Sequence, residues 1–193
     1  MLIGKSAGKL EGAAAQKHRG RRRIRRLAAA GLAVLALFSA ATARLLIWPA
    51  QGVPAHVGAI VMLAGPGDRL PTALRLARER RAPMLVISRG YHGYGGPCPA
   101  RPPGVKLICF EPDPATTQGE AQAIGRFAQR YHWQSVALVT TRAQDTRARI
   151  RASRCFGGAI YVAAVSQPWY DWPYQIAYEW AALAKAVLVQ RAC

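Results

Sequence analysis

Ser135-Val136-Ala137-Leu138-Val139-Thr140-Thr141 runs straight into Arg142-Ala143-Gln144-Asp145-Thr146-Arg147-Ala148-Arg149-Ile150-Arg151, and the reading of this junction decides the fold. Val136 to Val139 is short, apolar and free of charge, the pattern of a strand buried on both faces. The basic stretch behind it reads as a helix. In an open α/β sheet, ligands bind outside the carboxyl ends of the strands, where helix N-termini collect positive potential. Thr140 or Thr141 can cap the helix by accepting a bond from a free backbone N–H. Thr140, Thr141 and Arg147 are therefore the first site candidates. The competing reading is a capped surface helix whose arginines are solvated.

Upstream, His56 to Ala64 reads as a strand with Ala59 to Leu63 as its buried part. Gly65-Pro66-Gly67-Asp68 is a turn. A helix follows from about Arg69 to Arg81, with Leu70, Ala73, Leu74 and Ala77 on one face. Pro83 ends it, and Met84 to Ser88 is a second buried strand. Strand, glycine turn, helix and strand make a βαβ unit, which implies a parallel sheet with right-handed crossovers. Arg89 to Gly104 is a Gly/Pro loop, and Val105 to Phe110 a third strand. The loop from Glu111 enters a helix ending near Tyr131. Thr116 or Thr117 is its expected N-cap, and Glu120 stands three residues after Thr117, as in a capping box. Strand 135–140 and the basic helix to about Cys155 come next. A fifth strand at 159–164, an aromatic loop from Gln167 to Tyr174, and a last helix from Gln175 to Gln190 complete the chain. Ile176, Leu183 and Val187 mark an apolar face on that helix. The expected fold class is a three-layer α/β/α Rossmann-like parallel sheet preceded by one N-terminal transmembrane helix.

The chain has 193 residues and a net charge of +18. Nine basic residues and one acidic one fall within residues 1–26, and eighteen and eight fall in the rest. Both parts favour anionic partners. Residues 1–26 form a basic tail expected on the cytoplasmic side, with 1–20 disordered. Leu27 to Trp48 is apolar apart from Ser39, Thr42 and Arg44. It is long enough to span a hydrocarbon core of about 30 Å. Arg44 and Trp48 suit one interface, and the positive-inside rule sends everything after Trp48 out of the cytoplasm. Ala41-Thr42-Ala43 also has the shape of a signal-peptide cleavage site, so a cleaved leader is the rival reading. The apolar run continuing past that site favours an uncleaved anchor. Residues 49–56 are a linker, and 57–193 are the domain. The basic cluster is explained by topology and anionic lipid more economically than by DNA, a nucleic-acid-binding arm being the remaining alternative.

Cys98, Cys109, Cys155 and Cys193 all follow the apolar segment, and none stands at C-x-x-C spacing. Four cysteines in an exported domain suggest two disulfides among three connectivities. Cys98–Cys109 and Cys155–Cys193 are expected, against the alternative of four free thiols.

From Ala59 onward the order of motifs resembles the YdcF-like family of bacterial envelope proteins. The residues carrying the resemblance are Leu63-Ala64-Gly65-Pro66-Gly67-Asp68-Arg69, Ser88-Arg89-Gly90, the acidic Thr-containing loop Glu111 to Glu120, Val139-Thr140-Thr141, the pair Arg147-Ala148, and Glu179 in the last helix. It covers about residues 57–190, and the tail and anchor fit SanA-type members. The resemblance implies a Rossmann-like α/β/α fold and a role in envelope integrity and peptidoglycan precursor metabolism. For one member it implies binding of S-adenosylmethionine. Two positions depart from the family pattern. Gln144 stands where the family has His, and Arg89 where it has the first Gly of Ser-Gly-Gly. Gln cannot shuttle a proton near neutral pH as His can, so the sequence leaves catalysis open.

Gly65 and Gly67 can present backbone N–H groups to a phosphate, though the loop is neither a Walker loop nor G-x-G-x-x-G. Asp68 can cap, coordinate or clamp. Arg69, Arg89 and Arg147 can supply charge, and Ser88, Thr117, Thr141 and Gln144 hydrogen bonds. Glu120 and Glu179 can orient them, Arg147 being the candidate partner of Glu179. Glu111, Asp113 and Glu120 match no metal motif. His56, His92 and His132 are dispersed, and no catalytic triad is legible. Trp169, Tyr170, Trp172, Tyr174, Tyr178 and Trp180 can stack on a sugar, lie at a membrane surface, or pack under the loop, packing being the expectation. The function expected is binding of a phosphorylated anionic small molecule or lipid-linked precursor. The alternatives are a non-catalytic module for wall polymer or a partner protein, and a surface-charge adaptor for anionic lipid.

Overall fold

The computed structural model describes residues 5–50, 52–90 and 97–193, with residues 5–20 given by backbone alone. His92 and the centre of the Gly/Pro loop lie outside the described residues. The chain divides into two units, Met1–Thr42 and Ala43–Cys193.

In the first unit, helix α1 runs from Lys5 to Thr42. This corrects the expectation of a disordered stretch to residue 20. Ala, Lys, Gln and Arg are good helix formers, and extending an existing helix avoids the cost of nucleating one. Arg21–Ile47 is long and apolar enough to cross a membrane, and Leu27, Leu32, Val34, Leu35, Leu37 and Phe38 are exposed along it.

In the second unit, five strands form one all-parallel sheet: β1 (Ala59–Met62), β2 (Met84–Ser88), β3 (Lys106–Phe110), β4 (Ser135–Thr141) and β5 (Ala159–Val165). Their spatial order is β3-β2-β1-β4-β5. Val61 sits in register with Val86 on one side and Leu138 on the other. The order reverses between β1 and β4, so the crevice between their carboxyl ends is the topological switch point.

Four helices complete the unit: α2 (Arg69–Arg78), α3 (Thr117–Tyr131), α4 (Arg142–Cys155) and α5 (Trp172–Leu188). Alternation along the buried strands sorts side chains to the two faces. Ala59, Val61, Leu63, Val86, Val136 and Leu138 pack under Ile124 and Ala128 of α3 and Ala148 and Ala152 of α4. Ile60, Met62, Leu85, Ile87 and Val139 pack against Ala73, Leu76 and Ala77 of α2. Helix α5 lies beside α4, with Gln175, Glu179, Leu183 and Ala186 buried on its inner stripe. Val187, expected on the apolar face, is exposed. Helix α5 also begins three residues before the expected Gln175, because Pro173 is tolerated in a first turn whose N–H groups have no intrahelical partner.

Ala43–Ile47 forms a π-helical turn with Leu46 buried. Thr146 of α4 donates to Leu45 O, and Arg149 donates to Ala50 O at 2.7 Å and to Ile160 O at 2.9 Å. Gly52 then pairs antiparallel with Val162, and Val57 and Gly58 reach the carbonyls of Arg81 and Ser135 at the other end of the sheet. The expected linker is thus a strap that pairs with the edge strand β5 at one point and then crosses to the amino ends of the strands. The buried Asp145 carboxylate holds Arg149 at 2.6 Å. Burial pushes its pKa up, and Arg149 and Arg44 offset part of that cost.

Both expected disulfides are formed, Cys98–Cys109 and Cys155–Cys193. The first closes the Gly/Pro loop onto β3, and the second ties the C-terminus to the end of α4.

Candidate functional site

The β1–α2 loop forms the floor of the switch-point crevice. Gly65 (φ 130°) and Gly67 (φ 94°) adopt conformations that L side chains avoid. A Cβ at Gly67 would also press on Thr141 Cγ2 at 3.0 Å. The loop is wrapped around Arg69, which is 2% exposed. Its Nη1 donates to Leu63 O at 2.9 Å and Ala64 O at 2.6 Å, its Nε to Pro66 O at 2.9 Å, and its Nη2 to Gln144 Oε1 at 2.9 Å. Burial lowers the Arg69 pKa to about 10, with the charge of Glu120 acting against that fall. The sequence made Arg69 a source of charge for a ligand. In the structure it is chiefly the peg that shapes the glycine loop, because carbonyls turned inward by that loop need donors.

Glu120 is buried in the first turn of α3 and accepts from Ala64 N at 2.6 Å. It is not the capping-box partner of Thr117. Thr116 is the N-cap and accepts from Gly119 N, and Glu120 turns instead to the β1 loop. Burial raises the Glu120 pKa, outweighing the Ala64 hydrogen bond and nearby Ser88, Arg69 and Arg147. Ser88 is fully buried at the end of β2, beside Glu120.

Arg147 and Glu179 form a two-pronged ion pair, Nε to Oε2 at 2.7 Å and Nη2 to Oε1 at 2.8 Å. Arg147 Nη1 donates to Thr117 Oγ1 at 2.6 Å, and Gln144 Nε2 donates to the same hydroxyl at 3.4 Å. Burial penalises the Arg147 charge, but its bonds to Glu179 more than compensate and raise its pKa above the usual arginine value. A continuous polar chain therefore runs Glu179–Arg147–Thr117–Gln144–Arg69, linking α5, α4, α3 and the glycine loop. Its charged groups are desolvated yet hydrogen-bonded, so their positions are fixed.

Two clefts open on this chain and share Gly65, Arg147 and Tyr178. One, of about 370 Å³, is lined by Thr116, Thr117 and Gln118 at the N-terminus of α3, by Glu120, and by the cations Arg147, Arg151 and Lys185. The other, of about 320 Å³, is lined by Arg69, Thr141, Gln144, Tyr174, Gln175 and Glu179. Arg151 is buried and held by the Gln190 carbonyl and side chain. Burial lowers its pKa, and the charges of Arg154 and Arg147 lower it further. The guanidinium of Arg147 stands 5.8 Å from the Tyr178 ring centre. An α-helix N-terminus facing three cations is chemically suited to an anion.

The structure thus brings together Gly65, Arg69, Thr117, Glu120, Thr141, Gln144, Arg147 and Glu179. It separates others. Asp68 is exposed at the N-cap of α2 and makes no side-chain cap bond. Thr141 lines a cleft but stands at the N-cap of α4 without a cap bond from its side chain, and the buried Thr140 hydroxyl has no hydrogen-bond partner among the described residues. Arg89 faces the exposed Glu111 at 3.7 Å and lines neither cleft, and Ser88 lies beneath Glu120. Among the described residues, no three His, Cys, Asp or Glu side chains are grouped as a metal site would need. The reading of a solvated basic helix is overturned for Arg151, which is buried, and for Arg147, whose side chain is only 11% exposed and is paired with Glu179.

Sequence reasoning missed Arg151, Lys185 and Gln190. The four-residue step from Arg147 to Arg151 was the available signal, since it puts both on one helix face. It also expected the aromatic cluster to be packed, whereas Trp169, Tyr170, Tyr174 and Tyr178 are exposed. Comparisons with models of known protein families, with curated proteins and with solved structures return no match.

Proposed function

We propose that this is a membrane-anchored protein with its N-terminus in the cytoplasm and its α/β domain outside. In this reading the domain binds a phosphorylated anionic ligand and acts in cell-envelope biogenesis at the level of peptidoglycan precursors. The observation that carries the ligand class is the cleft where Arg147, Arg151 and Lys185 surround the N-terminus of α3. Backbone N–H groups and three cations answer the charge of a phosphate or diphosphate. The basic tail and apolar helix support the orientation, and two disulfides suit an oxidising compartment. The envelope role rests on the resemblance to the YdcF-like family.

S-adenosylmethionine, which that resemblance brings in, carries a sulfonium cation, and a cleft lined by three cations is a poor match for it. Gln144 favours the non-catalytic form of this reading, a module that binds wall polymer or a partner protein. Both ends of its amide are engaged, by Arg69 and Thr117, and neither can relay a proton.

The test is thermal unfolding of the full chain in detergent against inorganic pyrophosphate, nucleotides, sugar phosphates and short polyprenyl phosphates, beside Lys185→Ala. Lys185 is exposed, so its removal leaves the core intact. A ligand at a hundred times its Kd stabilises the folded state by about 2.7 kcal/mol. A saturable rise for a phosphorylated compound, reduced in Lys185→Ala, supports the reading. Equal responses in both proteins that salt abolishes refute a defined site.

A further inference from the structure

The edge of the sheet that carries the clefts is also the edge at which the chain enters the domain. Ala43–Ile47, the last turn of the apolar segment Arg21–Ile47, is pinned to α4 through Thr146, which donates to Leu45 O. Thr146 stands four residues into α4, roughly 6 Å from the helix start, and α4 starts at the carboxyl end of β4. From there the strap passes Val162 and reaches Arg81 and Ser135 at the amino ends of the strands. The direction of the strap therefore sets the beginning of the domain at the carboxyl edge.

The same edge bears an unusual aromatic corner. Trp169–Asp171 is a 3-10 turn between the end of β5 and α5. Trp169 is 83% exposed, and Tyr170 stands edge-on to it with ring centres 6.0 Å apart. Tyr174, also exposed, stacks on Tyr178 at the lip of the clefts. Trp48, one residue past the apolar helix, is exposed as well. Exposed Trp and Tyr are costly in water but favoured at the headgroup level of a bilayer, where the ring is desolvated and the polar tip stays wet. With the preceding apolar segment in a membrane, an aromatic group at the edge where the chain enters the domain has a bilayer surface within reach by connectivity alone.

We infer that the Trp169–Tyr170 corner docks on the bilayer surface from which the chain emerges, so that the clefts open beside lipid headgroups rather than bulk solution. The occupant of this surface is the lipid interface itself. The inference rests on the apolar helix spanning a membrane and is independent of which ligand fills the clefts.

The experiment reconstitutes the full chain in phosphatidylcholine nanodiscs, with and without lipid brominated near the top of the acyl chain, and reads tryptophan quenching. Wild type, Trp48→Phe and Trp169→Phe are compared, and an unchanged unfolding midpoint certifies each variant as folded. The expected result is a partial loss of bromolipid-dependent quenching in each variant, measured against the contribution of Trp133, Trp172 and Trp180, which all three proteins share. Quenching lost in Trp48→Phe but unchanged in Trp169→Phe overturns the docking while leaving the span intact, and points to a sugar-stacking role for the aromatic corner. Absence of bromolipid quenching in all three proteins overturns the docking by removing the span on which it rests.

Discussion

Arg147 and Glu179, thirty-two residues apart in sequence, are locked by two hydrogen bonds of 2.7 and 2.8 Å between side chains 11% and 3% exposed. This pair joins α4 to α5 and orients the cation shared by both clefts. Pairs of this kind give little net stability but cost much when half-broken, because the surviving charge stays buried. Arg147→Met alone and Glu179→Leu alone should each destabilise by about 3–5 kcal/mol. The double variant should be less destabilised than the sum of the two. Chemical denaturation of the four proteins in a double-mutant cycle measures the coupling.

Arg69 predicts a sharper effect from a milder change. Arg69→Lys keeps the charge but cannot reach Leu63 O, Ala64 O, Pro66 O and Gln144 together, because an ammonium lacks the planar fork. Carbonyls left unpartnered in the loop should cost on the order of 3 kcal/mol. Hydrogen exchange at Leu63 and Ala64, whose N–H groups bond to Val139 O and Glu120, should accelerate more than exchange in β2 or β3. Uniform acceleration across the sheet would show that Arg69 supports global stability rather than loop shape.

Glu120 predicts a pH dependence. Its folded pKa lies above the ordinary 4.5 because burial penalises the charged form. The folded state therefore holds its proton longer than the unfolded state does. The Glu120 contribution to stability is greatest below about 4.5, falls as pH rises from there to the folded pKa, and is flat above it. Glu120→Gln keeps an acceptor for Ala64 N and removes this fall. Melting points of wild type and variant from pH 4 to 8 should diverge with rising pH, the variant being higher. Asp145, whose pKa is also raised by burial, contributes equally to both and cancels in the difference.

The two disulfides should differ in worth. Cys155–Cys193 closes a separation of 38 residues and Cys98–Cys109 one of 11. Loop-closure entropy puts the first near 4 kcal/mol and the second near 3 kcal/mol. Cys155→Ser with Cys193→Ser should lower the melting point more than the corresponding change at Cys98 and Cys109. It should also loosen Gln190, and with it Arg151, so ligand shifts should weaken. If the shorter bridge proves the more stabilising, loop length does not govern the difference.

Most of the fold was legible in the sequence. Four of the five strands were read within a residue of their observed bounds, because runs such as Met84 to Ser88 are buried on both faces and leave little ambiguity of length; the first, read from His56 to Ala64, is confined to Ala59–Met62. The strand–turn–helix order implied a parallel sheet, and the positions of the cysteines suggested the two bridges. Val139-Thr140-Thr141 and Gly65-Pro66-Gly67 marked the ends of the two strands that flank the switch point. Thr117, Arg147 and Glu179 were named as site candidates, the last two as partners.

What the sequence could not reveal is where polar side chains point when their partners are remote in the chain. Periodicity locates an apolar face, so Arg69 read as a source of charge for a ligand and Glu120 as a capping-box partner, although both are buried against the β1 loop. Their burial depends on carbonyls and an N–H of the β1 loop that are free only once that loop has folded. Arg151 and Lys185 meet at one cleft only because α5 packs beside α4, and Trp169 is exposed because its turn lies beyond the sheet edge. The sequence by itself determined the α/β elements, the apolar N-terminal helix and the cysteine framework, since these follow from local hydrophobic pattern and composition. The tertiary structure alone decided which charges are desolvated and paired, because desolvation and hydrogen bonding are properties of neighbours in space.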